Sequence, residues 1–185
     1  MKTRMIIVAA PSGAGKSSFV EKIAKEDSRL VDIVTYTTRS MRKGESAGHP
    51  YFFISADDFR NKIEHGFFVE WAKVHTNYYG TSFQSLEEAW KKGCAAIMDI
   101  DIQGVATFKA KFPDAKTVFI HPPSIDELRR RIAKRDGAMP MDIEVRMANA
   151  EKEIREAPKF DFQIVNDNFD HSYAQFKKII EELLA

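Results

Sequence analysis

The chain has 185 residues, of which 44% are apolar and 30% charged, so it can bury the core of one domain but is too short for two ordinary ones. Its 28 basic and 27 acidic residues leave a net charge of +1, without the basic excess typical of proteins that bind nucleic acid or anionic membranes. The single cysteine, Cys94, excludes an internal disulfide framework and fits a reducing compartment. Composition therefore predicts one compact cytoplasmic domain with neither nucleic acid nor a membrane as its partner.

The N-terminus has some features of a secretory signal, because Lys2 and Arg4 precede an apolar run at residues 5–10. That run is shorter than the apolar region of about 7–15 residues that a signal needs, and a glycine-rich stretch follows it at once. No apolar stretch approaches the roughly 20 residues of a membrane-spanning helix. We therefore expect residues 5–10 to form a buried strand.

Predicted strands and helices alternate through the first half of the chain. Apolar residues at helical spacing predict a helix over 17–26, and β-branched residues predict one strand over 31–37. A charged, glycine-containing loop follows at 39–50 and a short strand at 51–54. Ser55 and Asp58 resemble a capping box that opens the next helix. An aromatic strand at 67–74 is then predicted to close with residues 77–80.

The alternation continues to the C-terminus. A helix over 82–93, a buried strand over 94–98, a helix up to Phe112 and a strand over 117–120 are predicted in turn. Ser124 and Glu127 form a capping box for a basic helix that runs to Arg135. A mobile loop at 136–142, a helix up to Pro158, a strand over 162–165 and a helix over 173–184 complete the chain. This order predicts a parallel sheet with helices on both faces and a site at the carboxyl ends of its strands, while residues 51–79 predict a small β-rich subdomain.

The most specific motif is APSGAGKS at residues 10–17, between a predicted strand and a predicted helix. In that context the sequence predicts a phosphate-binding P-loop. Gly13 and Gly15 let backbone N–H groups curl around phosphate oxygens at the positive end of the helix. Lys16 is expected to reach the β- and γ-phosphates, and Ser17 to hold Mg²⁺. Ala10 departs from the strict pattern, which begins with glycine, and costs about 1–2 kcal/mol if the backbone there has a positive φ.

Charged residues elsewhere extend this prediction. Asp99 ends a predicted strand, where P-loop proteins place the carboxylate that organises Mg²⁺, although it could instead cap the next turn. Arginines flank the predicted loop at 136–142, and they could neutralise a transferring phosphoryl group if that loop closes as a lid. These are Arg131, Arg135 and Arg146. A solvated face is the simpler interpretation of Arg129, Arg130 and Lys134.

At this point the chain resembles the guanylate kinase family. The resemblance lies in the P-loop, in TTR at 37–39 with Arg42 and GE at 44–45, in FVEW at 68–71, NYYG at 77–80, DIDIQG at 99–104 and IVND at 164–167. These blocks come in the family's order and cover nearly the whole chain. They imply an α/β fold with a P-loop core whose parallel sheet is flanked by helices, at 1–35, 84–124 and 156–185. A small β-rich GMP-binding subdomain at about 36–83 and a helical lid at about 125–155 complete the implied single domain.

The resemblance also implies the activity and the partners. It implies transfer of the γ-phosphate of ATP to GMP, and to dGMP, in purine nucleotide metabolism, with ATP and Mg²⁺ as cofactors and a monomer or homodimer as the assembly. It implies a catalytic set of Lys16, Arg39, Arg131, Arg135 and Arg146. Ser17 and Asp99 form the implied metal site.

The implied binding residues fall into two groups. The ATP side comprises Ala10, Pro11, Ser12, Gly13, Ala14, Gly15, Lys16, Ser17, Ser18 and Asn166. The GMP side comprises Arg39, Arg42, Tyr51 and Tyr79 around the phosphate, Thr35, Glu70, Thr81 and Asp101 around guanine, and also Glu45 and Asp99. Thr35 stands where serine is usual, and KRDGAMP at 134–140 departs from the family's lid sequence, which leaves the role of Arg135 open.

The chemistry of guanine supports one of these roles independently. Guanine presents its N1–H and 2-amino group side by side, and a carboxylate such as that of Glu70 accepts from both, although a rim carboxylate beside Trp71 is the simpler interpretation. The acceptor phosphate is already anionic, so catalysis needs alignment and charge neutralisation rather than a general base. Two other functions are open to this sequence. An inactive guanylate-kinase-like module that binds phosphopeptides typically lacks a P-loop with Lys16 and Ser17, and a kinase for phosphorylated sugars needs no guanine reader.

Overall fold

The computed structural model describes residues 5–74 and 76–185, so Lys2 and Arg4 of the signal-like N-terminus lie outside the described residues. The strands are β1 (Met5–Ala9), β2 (Leu30–Asp32), β3 (Thr35–Thr37), β4 (Tyr51–Phe53), β5 (Phe68–Val74), β6 (Asn77–Ser82), β7 (Ala95–Asp99), β8 (Lys116–His121) and β9 (Phe162–Val165). The helices are α1 (Lys16–Glu26), α2 (Ala56–Glu64), α3 (Phe83–Lys91), α4 (Ile102–Lys111), α5 (Ile125–Asp136), α6 (Ile143–Glu156) and α7 (Phe169–Leu184). Within the described ranges, no helix is both long enough and apolar enough to cross a membrane.

A parallel sheet of order β2-β7-β1-β8-β9 forms the centre of the molecule. Every residue of β1 is buried, as expected for a strand covered on both faces. One face packs on α1 and α7 through side chains such as Phe19, Ile23 and Phe176. The other face packs on α3 and α4 through Leu86 and Phe108. The predicted parallel sheet flanked by helices is thereby confirmed.

A second sheet, of order β4-β3-β6-β5, lies beside the first. Its β3–β4 pair is parallel, and its β3–β6 and β5–β6 pairs are antiparallel. The ring of Phe59, from α2, stacks on Phe68 at 4.5 Å and on Tyr78 at 5.4 Å between ring centroids. A Cβ at Gly80 would lie 3.0 Å from both phenylalanine rings, so the sheet needs glycine there for close packing.

Two predicted elements are wrong in this region. The single strand expected over 31–37 is two strands, β2 in the parallel sheet and β3 in the second sheet, because β-branched residues favour an extended backbone without specifying the sheet. The turn expected at 77–80 lies within strand β6, which pairs with both β5 and β3. Its asparagine and glycine suggested a turn, but aromatic packing and strand pairing prevail over those local preferences.

Helix starts follow their capping residues. Ser55 Oγ accepts the Asp58 N–H at 3.0 Å, and Ser124 Oγ accepts the Glu127 N–H at 3.1 Å, as the capping boxes predict. Helix α7 starts at Phe169, earlier than the predicted residue 173, because the Asn168 side chain accepts the His171 N–H at 3.1 Å.

Candidate functional site

The carboxyl ends of β1 and β7 face the second sheet across a cleft of about 770 Å³. The loop after β1 and residues of α5 and α6 complete its walls. This is the edge at which a parallel α/β sheet is expected to bind its ligands. The cleft brings most of the predicted phosphate, base and lid residues to one place.

The glycine-rich loop after β1 requires glycine at two positions. Gly13 and Gly15 have φ of 93° and 98°, in the left-handed region that other residues rarely adopt. A Cβ at Gly13 would also lie 2.8 Å from Ile132 Cγ1, and one at Gly15 would lie 2.9 Å from Asn166 Nδ2. Gly15 precedes α1 and supplies no side-chain cap, so the first N–H groups of the helix are available to an anion. Ala10 is buried in the core beneath the loop.

Lys16, Ser17 and Asp99 meet at the base of the cleft. Ser17 Oγ donates to Asp99 Oδ2 at 2.6 Å, and Lys16 Nζ lies 3.4 Å from the same oxygen. Burial lowers the pKa of Lys16, but Tyr51, Asp99 and Asp101 outweigh that effect and raise it above the ordinary value, so the ammonium group keeps its charge. Asp99 does not cap the next helix, because Asp101 caps α4 by accepting the Gln103 N–H at 2.9 Å.

The donor atoms at this point fit Mg²⁺. The Ser17 hydroxyl and the Asp99 carboxylate are neighbouring oxygen donors, the class that Mg²⁺ prefers. Among the described residues, no group of three or more His, Cys, Asp or Glu side chains could hold a metal ion. A metal at this point would therefore depend on phosphate oxygens and water for the rest of its ligands, as Mg²⁺ commonly does.

A cationic and aromatic cluster lines the opposite wall. The Arg39 guanidinium donates to both Glu45 carboxylate oxygens, at 2.9 and 2.8 Å, and lies 5.4 Å from the Tyr51 ring centroid. The Tyr51 and Tyr79 rings meet edge to face at 5.7 Å. Burial, reinforced by Asp99, raises the pKa of Tyr51 to about 12, so its hydroxyl stays protonated and can donate a hydrogen bond. Such a set of donors suits an anionic ligand group.

Glu70 is a buried carboxylate in the same cleft. Its exposed fraction is 5%, against 45% for the adjacent Trp71, so it is not a rim carboxylate. Thr81 Oγ1 donates to its Oε1 at 3.1 Å, and a Cβ at Gly104 would lie 2.9 Å from its Oε2. Burial, with a contribution from Asp101, raises the pKa of Glu70 to about 7. A buried carboxylate of this kind is stabilised by a ligand that brings hydrogen-bond donors.

Arg131 is anchored to the P-loop through Asn166. Arg131 Nε donates to Glu127 Oε1 at 3.0 Å, and its Nη2 donates to the Asn166 carbonyl at 3.0 Å. Asn166 Nδ2 in turn donates to the Ala14 carbonyl at 2.8 Å. Asn166 therefore lies beneath the loop and connects it to Arg131, and it does not line the cleft. Arg135 and Arg146 line the cleft from α5 and α6.

Most of the predicted site residues therefore line one cleft. The exceptions are Ala14, Thr81 and Asn166, which are buried behind it. The cleft also has lining residues that the sequence analysis did not identify. These are Ser40, Pro50, Ala72, Val74, Thr76, Asn77, Ile100, Asp142 and Glu153.

Glu153 is the most informative of the missed residues. Burial, reinforced by Asp101 and opposed by Lys16, raises its pKa to about 7. Its sequence signal is its spacing from Arg146, since residues two helical turns apart share one face of a helix. A charged residue in a polar helix is usually solvated, so this spacing alone does not indicate a site residue.

Comparisons with known proteins give one consistent family. The guanylate kinase family model matches residues 2–183. A guanylate kinase of Bdellovibrio bacteriovorus is 78% identical over 185 residues, which cover 100% of both chains. Another, from a Polaromonas species, is 42% identical over 176 residues, which cover 95% of this chain and 85% of that protein. The crystal structure of a guanylate kinase from Anaplasma phagocytophilum matches with a TM-score of 0.78 at 29% identity, covering 96% of this chain and 84% of that one.

Proposed function

This chain belongs to the guanylate kinase family, and on that premise we propose that the cleft is its active site. The enzyme transfers the γ-phosphate of ATP to GMP and releases ADP and GDP. The observation that best supports this use of the cleft is that the P-loop and the buried Glu70 carboxylate line the same space. One feature suits a nucleoside triphosphate, and the other suits a guanine base.

The P-loop side receives ATP. The open N–H groups at the start of α1 and the charged Lys16 face the β- and γ-phosphates. Ser17 and Asp99 are the residues that would hold Mg²⁺. When bound there, Mg²⁺ neutralises charge on the phosphate oxygens and helps to align them.

The second-sheet side receives GMP. Arg39, Arg42, Tyr51 and Tyr79 bind its phosphate, and Glu70 accepts hydrogen bonds from the guanine N1–H and 2-amino group. Thr35, Thr81 and Asp101 complete the base site, with Thr81 acting through its hydrogen bond to the Glu70 carboxylate. dGMP carries the same base and phosphate, so we propose it as a second acceptor.

The transfer itself requires alignment and charge neutralisation. An oxygen of the GMP phosphate attacks the γ-phosphorus as the bond to the bridging oxygen of ADP breaks, and no proton has to be removed first. Lys16 and the arginines of α5 and α6 stabilise the negative charge on the transferring group. These arginines are Arg131, Arg135 and Arg146.

We propose the core at 1–35, 84–124 and 156–185, the GMP-binding subdomain at about 36–83 and the lid at about 125–155. A cytoplasmic monomer or homodimer that binds no nucleic acid fits the balanced charge. No observation favours an inactive phosphopeptide-binding module, because Lys16 and Ser17 are both present in an intact P-loop.

A phosphotransfer assay with a panel of acceptors tests the proposal. ADP release is measured with ATP, Mg²⁺ and, in turn, GMP, dGMP, AMP, UMP and CMP. We expect fast turnover with GMP and dGMP only. Equal rates with AMP or UMP would contradict the assignment of Glu70 and its neighbours to guanine. Omission of Mg²⁺ should abolish most of the activity.

A further inference from the structure

Asp136, the last residue of α5, lies among guanidinium groups from both sides of the cleft. Arg135 Nε and Nη2 donate to its two carboxylate oxygens at 2.8 and 3.2 Å. Arg146 Nη1 donates to Oδ2 at 3.5 Å, and Arg42 Nε lies 3.9 Å from Oδ1. A single carboxylate thus joins two lid arginines to an arginine of the GMP-binding side.

This arrangement balances charges that would otherwise repel each other. Burial and then the neighbouring Arg135 and Arg39 lower the pKa of Arg42, so its positive charge is unfavourable in this cluster, and Asp136 opposes that effect. The hydrogen bond from Arg135, with the charges of Arg42 and Arg146, holds the pKa of Asp136 below its usual range. The carboxylate is therefore ionised at neutral pH, and it supplies negative charge beside Arg42, an arginine proposed to bind the GMP phosphate.

We propose that Asp136 is an internal counter-ion that gathers Arg42, Arg135 and Arg146 before the substrates bind and that competes with the GMP phosphate for Arg42. This inference rests on the proposed function, which assigns these arginines to the substrate phosphates. Arg42 Nε is too far from Asp136 for a hydrogen bond, and a phosphate dianion offers it a stronger partner. Asp136 is a positioning residue, because it acts on the substrates only through the arginines.

The competition predicts that removing the negative charge of Asp136 strengthens GMP binding. Asp136→Asn and Asp136→Ser should bind GMP about 3- to 10-fold more tightly, because phosphate no longer competes with a carboxylate for Arg42. The same variants should have a lower kcat, because Arg135 loses its bidentate partner and Arg146 keeps only its 3.0 Å hydrogen bond to Asp142. Asp136→Glu keeps the carboxylate and should stay within about twofold of the wild type in GMP affinity. A merely structural role would weaken GMP binding.

A lid carboxylate that is paired with an arginine outside the cleft provides the matched control. Glu144 pairs with Arg129, and neither residue lines the cleft. Glu144→Gln removes the same charge from the lid and should leave GMP affinity unchanged. If Glu144→Gln tightens GMP binding as much as Asp136→Asn does, the effect comes from the overall charge of the lid, and the specific role of Asp136 is refuted.

The experiment measures GMP dissociation constants by calorimetry in the absence of ATP and KM and kcat in the phosphotransfer assay, on the full chain. Tighter GMP binding and lower kcat in both neutral variants support the inference. Unchanged or weaker GMP binding in these variants overturns it. A wild-type protein that fails to phosphorylate GMP would instead overturn the proposed function, so the two failures are distinguishable.

Discussion

Replacing Glu70 by glutamine should make the protein more stable and its activity lower. The difference between the ordinary pKa of 4.5 and the value of about 7 for Glu70 corresponds to about 3 kcal/mol, at about 1.4 kcal/mol per pKa unit. Because this pKa is raised, Glu70 is protonated in the folded state and ionised in the unfolded state at pH values between 4.5 and about 7. The free energy of unfolding of the wild type should therefore fall as pH rises through this window, by up to about 3 kcal/mol.

The glutamine variant lacks this ionisation and should unfold at a higher temperature than the wild type at pH 8.5. At pH 5 the advantage should be much smaller, because most of the wild-type Glu70 is then protonated. Thermal or denaturant unfolding at both pH values measures the effect. If the stability difference between the variant and the wild type is no larger at pH 8.5 than at pH 5, the argument from burial is refuted.

The same substitution should impair guanine recognition. Thr81 Oγ1 donates to Oε1, so the glutamine carbonyl would take that place and its NH₂ would face the guanine donors. A mispaired polar group costs about 1–3 kcal/mol, which is roughly 10- to 100-fold in kcat/KM for GMP. IMP lacks the 2-amino group, so it should be a poor substrate of the wild type and lose less on mutation. Equal losses for GMP and IMP would mean that Glu70 supports the fold and does not read the base.

Three other substitutions test the ATP side, the lid and the guanine site of the cleft individually. Lys16→Ala should lower kcat about 10²- to 10³-fold and leave GMP affinity unchanged in calorimetry; a large loss of GMP binding would contradict its place on the ATP side. Arg146→Ala should lower kcat more than it raises KM, since the lid arginine acts on the transferring group, and the reverse pattern would make it a ground-state binder. Gly104→Ala should weaken GMP binding, because the added Cβ would displace the Glu70 carboxylate, without lowering the free energy of unfolding, because alanine favours the helix. Unchanged GMP affinity would refute this contact.

The P-loop could be predicted from sequence because its requirements are local. A buried strand, two glycines at positive φ and a helix that opens with Lys16 and Ser17 are all encoded within a short segment. The family resemblance then supplied residues that are far apart in the chain. Local patterns alone do not indicate that Glu70 and Asp99 face the same cleft.

The wrong or missing predictions depend on tertiary packing. Nothing in the β-branched run at 31–37 indicates that it changes sheets, because both sheets need the same extended backbone. Gly80 suggests a turn in sequence, yet it is needed where Phe59 and Phe68 pack closely on a strand. Glu153 lies in a helix whose polar composition is typical of a solvated helix. Only the position of α6 in the fold brings this residue into the cleft.

The central claim is that one cleft holds ATP and GMP together, with their phosphates aligned for direct transfer. A bisubstrate ligand, adenosine and guanosine joined by five phosphates, tests it most directly in calorimetry with Mg²⁺. We expect one ligand to bind per chain, with an affinity well above that of either nucleotide alone. At concentrations equal to that of the ligand, neither ATP alone nor GMP alone should displace it completely. A ligand that binds no more tightly than ATP, or that leaves the GMP site free for a second nucleotide, would contradict the claim.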